Sequence, residues 1–550
     1  MMGRLQCIKT LERQPIVWTI AGSDSGGGAG IQADLLTMKD LDCHGCSVIT
    51  SITAQNSVAV KLVEPVSEHM LISQLDALWS DLPPRAIKIG LLVSQQQVNC
   101  VAKWLTHLAQ QDLLPFVVLD PVMVASSGHG FGQCSIDFKP MAGLMSLLTP
   151  NQHELSHLCA NLLLSRQQDT SPVNDEHTMA SEATWLANEY QCHVVAKGGD
   201  ARWQQQDAID IYVTQKVANA SDIHNHRVFK LSSPRVNTQD NHGSGCTFSA
   251  AIACFIAHQF VLHDAIVMAK AYVNNGLTNS YQVGQGPGVL ARTGWPDTLA
   301  FMPTITPVGT VYPSHCQTRF KPILSPLGVY PVLDSLSQLI AVLNAGCKTL
   351  QFRVKVDPPL SPLQTQALEQ SIIDAIAIGR DFNAQLFIND HWQLAIKHGA
   401  FGVHLGQEDL SCADLNAIAN AGLALGISSH GCFEALLAHQ YSPSYIALGH
   451  IYPTSTKQMP SAPQGLIKLA HYVTLLGEHY PTVAIGGIDS DRLEPVASTG
   501  VADVAVVRAI TEASDPALSY RLLHQRWLQL TRKRAMAQCL PFSSESLCSA

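Results

Sequence analysis

The sequence is short of charge. Asp, Glu, Lys and Arg make up 14% of its 550 residues, against about 25% in ordinary soluble domains. That scarcity excludes a disordered or charge-tailed chain and favours compact, well-buried domains. A basic excess is missing as well: 34 Lys and Arg against 43 Asp and Glu leave a net charge of −9. A general nucleic-acid binder would be basic, so no nucleic-acid partner is expected, although local phosphate sites remain open. No apolar run is clean enough to cross a bilayer. The most apolar stretch, Phe248 to Val273, is broken by His258, Gln259, His263, Asp264 and Lys270, which is too polar for a spanning helix. The first residues, MMGRLQCIKTLERQP, lack the apolar core of a signal peptide. Gly (37) and Pro (29) are near average, which removes collagen-like and low-complexity readings. Repeats at solenoid periods are also lacking. The 15 cysteines are odd in number and thinly spread, unlike a small disulfide scaffold. A reducing cytoplasm and no membrane partner are the expectation.

What is present is alternation. Length alone suggests three or four domains, or two large α/β ones. Strand-like apolar runs such as VWTIAG (17–22), VVLDPVM (117–123), VVAKGG (194–199), LFIND (386–390), YIALGH (445–450) and VAIGG (483–487) alternate with helical stretches. Continuous apolar strands separated by helices predict parallel sheets covered on both faces. The pattern fades between about Asp297 and Pro326, where Pro303, Pro307, Pro313, Pro322 and Pro326 cluster, and that stretch reads as a linker. The residues from Arg532 onward read as a loose, Ser-rich tail.

The second half can be counted. From Val329 there are eight strand candidates: VYPVLD, TLQFRVK, QLFIND, GVHLG, LALGISSH, YIALGHIYP, TVAIGG and ADVAVVRAI. Eight βα units predict a (β/α)8 barrel, whose active face lies at the C-terminal ends of its strands. Asp334, Arg353, Lys355, Asn389, Asp390, His404, Ser428, His430, Gly486 and Gly487 all fall at those ends. Cations, carboxylates and glycines together suit phosphates and a metal. In QFRVK, residues 351, 353 and 355 share one side of a strand, and Arg and Lys so placed suit a diphosphate. Carboxylates at Asp390 and in Gly406-Gln407-Glu408-Asp409 come from separate strand ends and make a hard-cation site. The loop PTSTKQMPSAPQG brings Thr454, Thr456 and Lys457, the profile of a lid over a phosphate.

Two signals stand out in the first half. VWTIAG runs into SDSGGGAGIQADL, where Gly26, Gly27, Gly28 and Gly30 permit close backbone approach ahead of a helix. A tight turn with no ligand is the plain alternative. Asn241-His242-Gly243-Ser244-Gly245-Cys246-Thr247 opens a long apolar helix, so free N–H groups and a thiol meet at a helix N-terminus. That geometry stabilises charge on a transferred phosphoryl group and is expected to lower the thiol pKa. A buried structural cysteine is the alternative. Two patterns are decoys. His153-Glu154-Leu155-Ser156-His157 matches a zinc-protease signature but lacks a third ligand. Cys43-His44-Gly45-Cys46 precedes a strand, the wrong place for redox chemistry, and reads as two packed thiols.

Taken together, AGSDSGGGAGIQADL, GCSVITSITAQNS, KIGLL, VVLDPVM, TPNQHEL, KGGD and NHGSGCT resemble the ribokinase-like superfamily. More narrowly they resemble hydroxymethylpyrimidine/phosphomethylpyrimidine kinase of thiamine biosynthesis, over about residues 15–297. The resemblance implies a ribokinase-like α/β domain with ATP as co-substrate. Gly22, Asp34, Gln55 and Val122 would line a pyrimidine pocket. Glu154 and Asp120 would act through Mg2+, and Lys197 on the ATP phosphates. The Gly243, Gly245 and Cys246 amides would form the anion hole, with Cys246 activating the hydroxymethyl group; most superfamily members carry Asp there. Leu91 stands where methionine is expected. A pyridoxal-type kinase is the rival on this fold, and a catalytically dead precursor sensor is the rival of another class.

YPVLD, LQFRVK, LFIND, GVHLGQEDL, LGISSH, ALGHIYPTSTK, AIGGI and VAVVRAI resemble thiamine-phosphate synthase, over about residues 327–531. That resemblance implies that Gln351 and His404 hold an aminopyrimidine. Arg353, Lys355, Asn389, Ser428 and Lys457 would hold its diphosphate, and Asp390 and Asp409 would hold Mg2+. Thr454, Thr456 and Gly487 would meet a thiazole phosphate. Arg508 departs from the small serine expected there. The organisation expected is an extension (1–14), a kinase domain (15–297), a linker (298–326), a TIM barrel (327–531) and a tail (532–550). Small-molecule substrates and a homo-oligomer are expected, and the two halves would catalyse consecutive steps.

Overall fold

The computed structural model describes residues 14–123, 136–164, 175–201, 203–204, 206–215, 227–308, 319–356, 359–410, 412–454 and 462–539. The chain divides into two compact units, residues 11–312 and residues 313–550.

The first unit is built on ten strands: β1 (Ile16–Ser23), β2 (His44–Gln55), β3 (Val60–Pro65), β4 (Ala86–Ile89), β5 (Phe116–Leu119), β6 (Leu147–Leu148), β7 (His193–Ala196), β8 (Asp207–Val213), β9 (Val228–Pro234) and β10 (Thr304–Pro307). Their order in the sheet is β10-β9-β8-β7-β6-β5-β4-β1-β2-β3. The apolar strands β2, β1, β4, β5, β6 and β7 run parallel. The flanks do not: β3 and β8 to β10 are antiparallel. Between β2 and β3 there is only a short turn, too short for the crossover that a parallel pair requires. Four helices of this unit contribute residues to its cavity: α1 (Gly30–Asp40), α2 (Gln152–Leu164), α3 (Ser244–Ala257) and α4 (Leu262–Thr278). Apolar on almost every side, α3 packs against α1, α4, β1, β4 and β5. The hydrophobic stretch 248–273 is therefore core, and among the described residues no helix is long and apolar enough to cross a membrane. Strand order reverses at β1, between β2 and β4, and such a switch point opens a crevice beyond the carboxyl ends of the strands.

In the second unit β11 (Val329–Leu333), β12 (Thr349–Phe352), β13 (Gln385–Asn389), β14 (Gly402–Leu405), β15 (Ala424–Ser429), β16 (Tyr445–Gly449), β17 (Thr482–Ile485) and β18 (Asp503–Val506) form a closed parallel barrel. All eight expected strands are there, and β18 closes on β11. Tyr330, Phe387 and Tyr445 meet edge to face in the interior, with ring centroids 6.1, 5.8 and 5.2 Å apart. Glycine makes the room: a Cβ on Gly426 would lie 2.2 Å from the Tyr445 ring.

Two expectations about the seams need correction. The stretch 298–326 is not all linker. β10 pairs with β9 from Thr304 to Pro307, at the sheet edge where proline is tolerated. At the other end Phe320 is buried, and Lys321 donates its N–H to the Leu423 carbonyl at 3.1 Å. The tail does not begin at Arg532 either. A final helix, α5 (Pro516–Cys539), runs through it, carried by good helix formers in RKRAMAQ and anchored by the buried Tyr520, Leu523 and Trp527.

Candidate active sites

A cavity of 890 Å3 opens at the switch point of the first sheet, bordered by Gly22 at the end of β1, Leu91 after β4, Asp120 after β5, Lys197 after β7 and the start of α3. The Gly-rich turn before α1 serves an anion of its own. The Asp24 carboxylate accepts the amides of Gly26 (2.8 Å), Gly28 (3.1 Å) and Ala29 (2.9 Å), and His242 Nε2 stands 3.3 Å from it. Burial opposes that charge, yet His242 and the amides hold the Asp24 carboxyl below its usual range. The turn before α3 packs against the first one. Gly243 has φ +78°, and a Cβ there would lie 2.0 Å from the Gly28 carbonyl oxygen, so both left-handed backbone and contact require glycine. No side chain caps α3, which leaves its first amides for a ligand.

Two buried ion pairs flank this helix start. Lys197 Nζ donates to Asp120 Oδ1 at 2.8 Å, and Ser249 Oγ donates to Oδ2 at 3.3 Å. Burial would raise Asp120, but Lys197 and then Lys88 hold it down. Glu154 caps α2 by accepting the Asn151 amide at 2.8 Å. Burial pushes its carboxyl up to about 7, Lys197 pulling the other way. The second pair lies deeper. Lys88 Nζ reaches both oxygens of Asp34, at 3.0 and 2.8 Å, and Thr19 Oγ1 donates to Asp34 Oδ2 at 2.6 Å. Cys246 sits on the cavity wall, and its thiol is not activated as expected from its place at a helix start. Burial pushes it up to about 11; Lys88 and the Gly30 amide pull down, while Asp34 and Asp120 add to the rise. Desolvation outweighs the helix terminus here.

At the barrel mouth, side chains from neighbouring strand ends are joined by hydrogen bonds. Gln351 Nε2 donates to Asn389 Oδ1 at 2.5 Å. His404 engages the Tyr445 hydroxyl through Nδ1 and Ser428 Oγ through Nε2, both at 2.7 Å, and Tyr445 meets the Tyr330 hydroxyl at 2.8 Å. Burial, then the charge of Arg353, push His404 down to about 3, so its ring stays neutral. Half-buried Arg353 is itself lowered by burial, with Asp390 and Asp334 pulling back. A 260 Å3 pocket holds Arg353, Asp334, Arg508 and Glu512 together. Gly487, at φ +66°, brings its backbone against the carbonyl of Pro453, where a Cβ would sit 2.7 Å away.

The phosphomethylpyrimidine kinase family model matches residues 24–291, and the thiamine monophosphate synthase family model matches residues 329–510. Thiamine-phosphate synthases of Shigella sonnei (strain Ss046) and Escherichia coli O157:H7 are each 54% identical over 199 residues, covering 36% of this chain and 91% of those proteins. The chain belongs to the thiamine-phosphate synthase family. Its first unit carries a phosphomethylpyrimidine kinase domain, so the molecule is a bifunctional transferase of thiamine biosynthesis. Among solved structures, the pyridoxal kinase of Staphylococcus aureus with AMP-PCP and pyridoxal is 25% identical, covering 54% of this chain and all of that one, with a TM-score of 0.43. The phosphomethylpyrimidine kinase of Clostridium difficile 630 is 27% identical, covering 47% of this chain and 98% of that one, with a TM-score of 0.36.

In the kinase unit, Gly22, Gln55, Val122, Glu154, Lys197, Gly243, Gly245 and Cys246 border one cavity. Asp34 lies behind that wall, and its partner Lys88, equally buried, is the member of the pair that borders the cavity. His153 and His157 border the cavity too, but Glu154 is committed as a cap, and among the described residues no group of three or more His, Cys, Asp or Glu could hold a metal ion. The Cys43 thiol lies 3.4 Å from His258 Nε2, packed as expected, although against α3 and not against Cys46. In the synthase unit, Gln351, Asn389, His404 and Ser428 come together, with both His404 nitrogens already engaged. Asp409 Oδ2 accepts the Gly406 amide at 3.2 Å, and Lys355 is exposed just beyond β12. Thr454 is at the edge of the described chain; Thr456 and Lys457 lie outside the described residues. Sequence reasoning missed Lys88, although a lone lysine in the strand AIKI is itself a signal. It also missed the pair of Lys270 and Asp210, at 2.8 Å; Lys270 had registered only as a break in an apolar run.

Proposed function

We propose that the kinase unit phosphorylates 4-amino-5-hydroxymethyl-2-methylpyrimidine and then its monophosphate with ATP, and that the synthase unit joins the diphosphate to 4-methyl-5-(2-phosphoethyl)thiazole. The products are thiamine phosphate and pyrophosphate. The observation that carries this reading is the 54% identity of the second unit to thiamine-phosphate synthases, beside a kinase family match that would supply its substrate. Domain limits of about 15–308 and 319–539 are offered with it, which keep β10, Phe320 and the whole of α5 with the units they pack in. The ten cysteines described as free thiols support a reducing cytoplasm.

In the kinase unit the uncapped amides at Gly243, Gly245 and Cys246 face the phosphoryl group in transfer, and Lys197 steadies the ATP phosphates. Gly22, Gln55 and Val122 hold the pyrimidine, with Asp34 acting from beneath. Cys246 takes the hydroxymethyl proton. Its thiol is protonated at neutral pH, so only the ionised fraction serves as base. Glu154 and Asp120 supply carboxylate oxygens on the phosphate side of the cavity.

In the synthase unit Arg353, Lys355, Asn389, Ser428 and Lys457 hold the diphosphate, and the cations stabilise it as it leaves. Gln351 and neutral His404 orient the aminopyrimidine, whose electron-rich ring carries the positive charge left behind. Thr454, Thr456 and Gly487 hold the thiazole phosphate so that the ring nitrogen attacks. No general base is required. Asp390 and Asp409, two carboxylates from successive strand ends, fit Mg2+, which takes one or two carboxylates and phosphate oxygens and would neutralise leaving-group charge.

One incubation tests the whole reading: purified chain with hydroxymethylpyrimidine, thiazole phosphate, ATP and Mg2+, assayed for thiamine phosphate. Product is expected. If product appears only when the pyrimidine diphosphate is supplied, the kinase assignment falls; if not even then, the synthase assignment falls.

A further inference from the structure

The pair of Lys270 and Asp210 has no part in the phosphoryl transfer just described. Lys270 on α4 donates through Nζ to Asp210 Oδ2 at 2.8 Å and to the Ala208 carbonyl at 3.1 Å. Both members of the pair are buried, and both border the kinase cavity. A buried ion pair is weak evidence of stability, because apolar side chains of similar volume often replace it at no loss. The second oxygen of the carboxylate makes the contact that matters. Asp210 Oδ1 accepts the amide of Gly198 at 2.9 Å, and Gly198 follows Lys197 directly. β8 runs antiparallel to β7 with Ile211 opposite Ala196, so the same register sets Asp210 opposite Lys197. The turn that leaves Lys197 is held from several sides. Lys197 donates its own N–H to the Pro150 carbonyl at 2.8 Å. Gly198 is pressed onto β8, where a Cβ would lie 2.0 Å from the Ile209 carbonyl oxygen. Gln204 grips Ile209 twice, donating through Nε2 at 3.0 Å and accepting the Ile209 amide at 2.7 Å. Lys270 adds α4 to this set, and α4 packs along α3, whose uncapped first turn borders the same cavity. Contacts therefore run unbroken from α3 through α4, Lys270, Asp210 and Gly198 to Lys197.

We propose that Asp210, anchored by Lys270, is a positioning residue of the kinase: it holds the Gly198 amide and so fixes the turn from which Lys197 reaches the ATP phosphates. The proposal rests on the assignment of Lys197 to those phosphates. Asp210 acts through the backbone of the turn and needs no contact with the nucleotide. Its removal leaves a buried amide without an acceptor, which costs free energy and lets the turn shift. Positioned groups are sensitive to such shifts, a displacement of about 1 Å being enough to forfeit most of their effect. Lys270 keeps the carboxylate in place, because an unpaired buried charge turns toward water.

The test uses the full-length chain and two double variants in which the ion pair is made neutral. Asp210→Asn with Lys270→Met keeps an oxygen for the Gly198 amide; Asp210→Leu with Lys270→Met does not. The Kd for ATP is measured by calorimetry with Mg2+ present, alongside the kinase KM for ATP and for hydroxymethylpyrimidine. The Leu chain is expected to bind ATP at least about tenfold more weakly, within the range of coupled contacts, and the Asn chain to stay within about threefold of the parent. The KM for ATP should follow the Kd, while the KM for hydroxymethylpyrimidine stays nearly constant. Lys197→Ala added to the Leu chain should weaken binding no further than Lys197→Ala alone, because the pair acts only through Lys197. Equal losses in the Asn and Leu chains overturn the proposal, as does an unchanged Kd in the Leu chain or a full additional loss in its combination with Lys197→Ala. Should the Leu chain fail to fold, Lys270→Met alone, which frees Asp210 from its anchor, is read in its place with the same expected loss. ATP binding needs no acceptor. A chain that binds ATP but phosphorylates no hydroxymethylpyrimidine refutes the substrate reading, and a Lys197→Ala chain that binds ATP as the parent does refutes the Lys197 assignment, so each failure is seen separately.

Discussion

Single side chains carry the sharpest consequences. Cys246→Ala should lower kinase turnover at least ~100-fold, in the range for loss of a positioned base, while coupling from supplied diphosphate stays intact. Cys246→Asp should keep turnover and lose the rise with pH, because a carboxylate is ionised throughout the neutral range; rate profiles from pH 6 to 10 distinguish the two variants. Asp390→Ala should abolish Mg2+-dependent coupling and spare the kinase, measured by thiamine phosphate formation from supplied diphosphate. His404 gives a stability signature. Its folded pKa of about 3 lies below the unfolded value near 6.5, so the fold prefers the neutral ring. That contribution is complete above pH 6.5 and is lost progressively as the pH falls from there toward 3. His404→Asn should flatten this part of the curve in chemical unfolding; equal slopes for both chains would remove His404 as its source. Residue identity at the barrel mouth was legible because strand ends can be counted. The state of Cys246 was not: the helix start is visible in sequence, but the burial that outweighs it arises only in the folded chain.

Elements explain why some boundaries misled. β10 was hidden because prolines at 303 and 307 signal a linker, and only pairing with β9 shows that an edge strand accepts them. The end of α5 was hidden by the Ser-rich residues beyond it, although RKRAMAQ is helix-forming on its own. The antiparallel flanks of the first sheet depend on turn length, which periodicity does not report. The turn ahead of α3 was legible in kind but not in its reason. Its left-handed Gly243 is pressed against Gly28, and the Gly26–Ala29 amides are spent on Asp24. Gly243→Ala should destabilise the kinase unit by more than ~1 kcal/mol from backbone strain alone and depress its activity while the synthase is spared; thermal unfolding with both assays checks it.

At the scale of the molecule, two folds and two reactions were readable because each half repeats its own pattern of strand, polar end and helix. Cleavage near Pro313 should leave two folded fragments, each with one activity, and loss of both would mean that the halves share a core; circular dichroism and the two assays decide it. The barrel also limits the routes to its site. Its strands form an unbroken ring, and its interior is filled by the rings of Tyr330, Phe387 and Tyr445. Such a packed core is no passage, so whatever binds at the C-terminal strand ends enters and leaves from that one face.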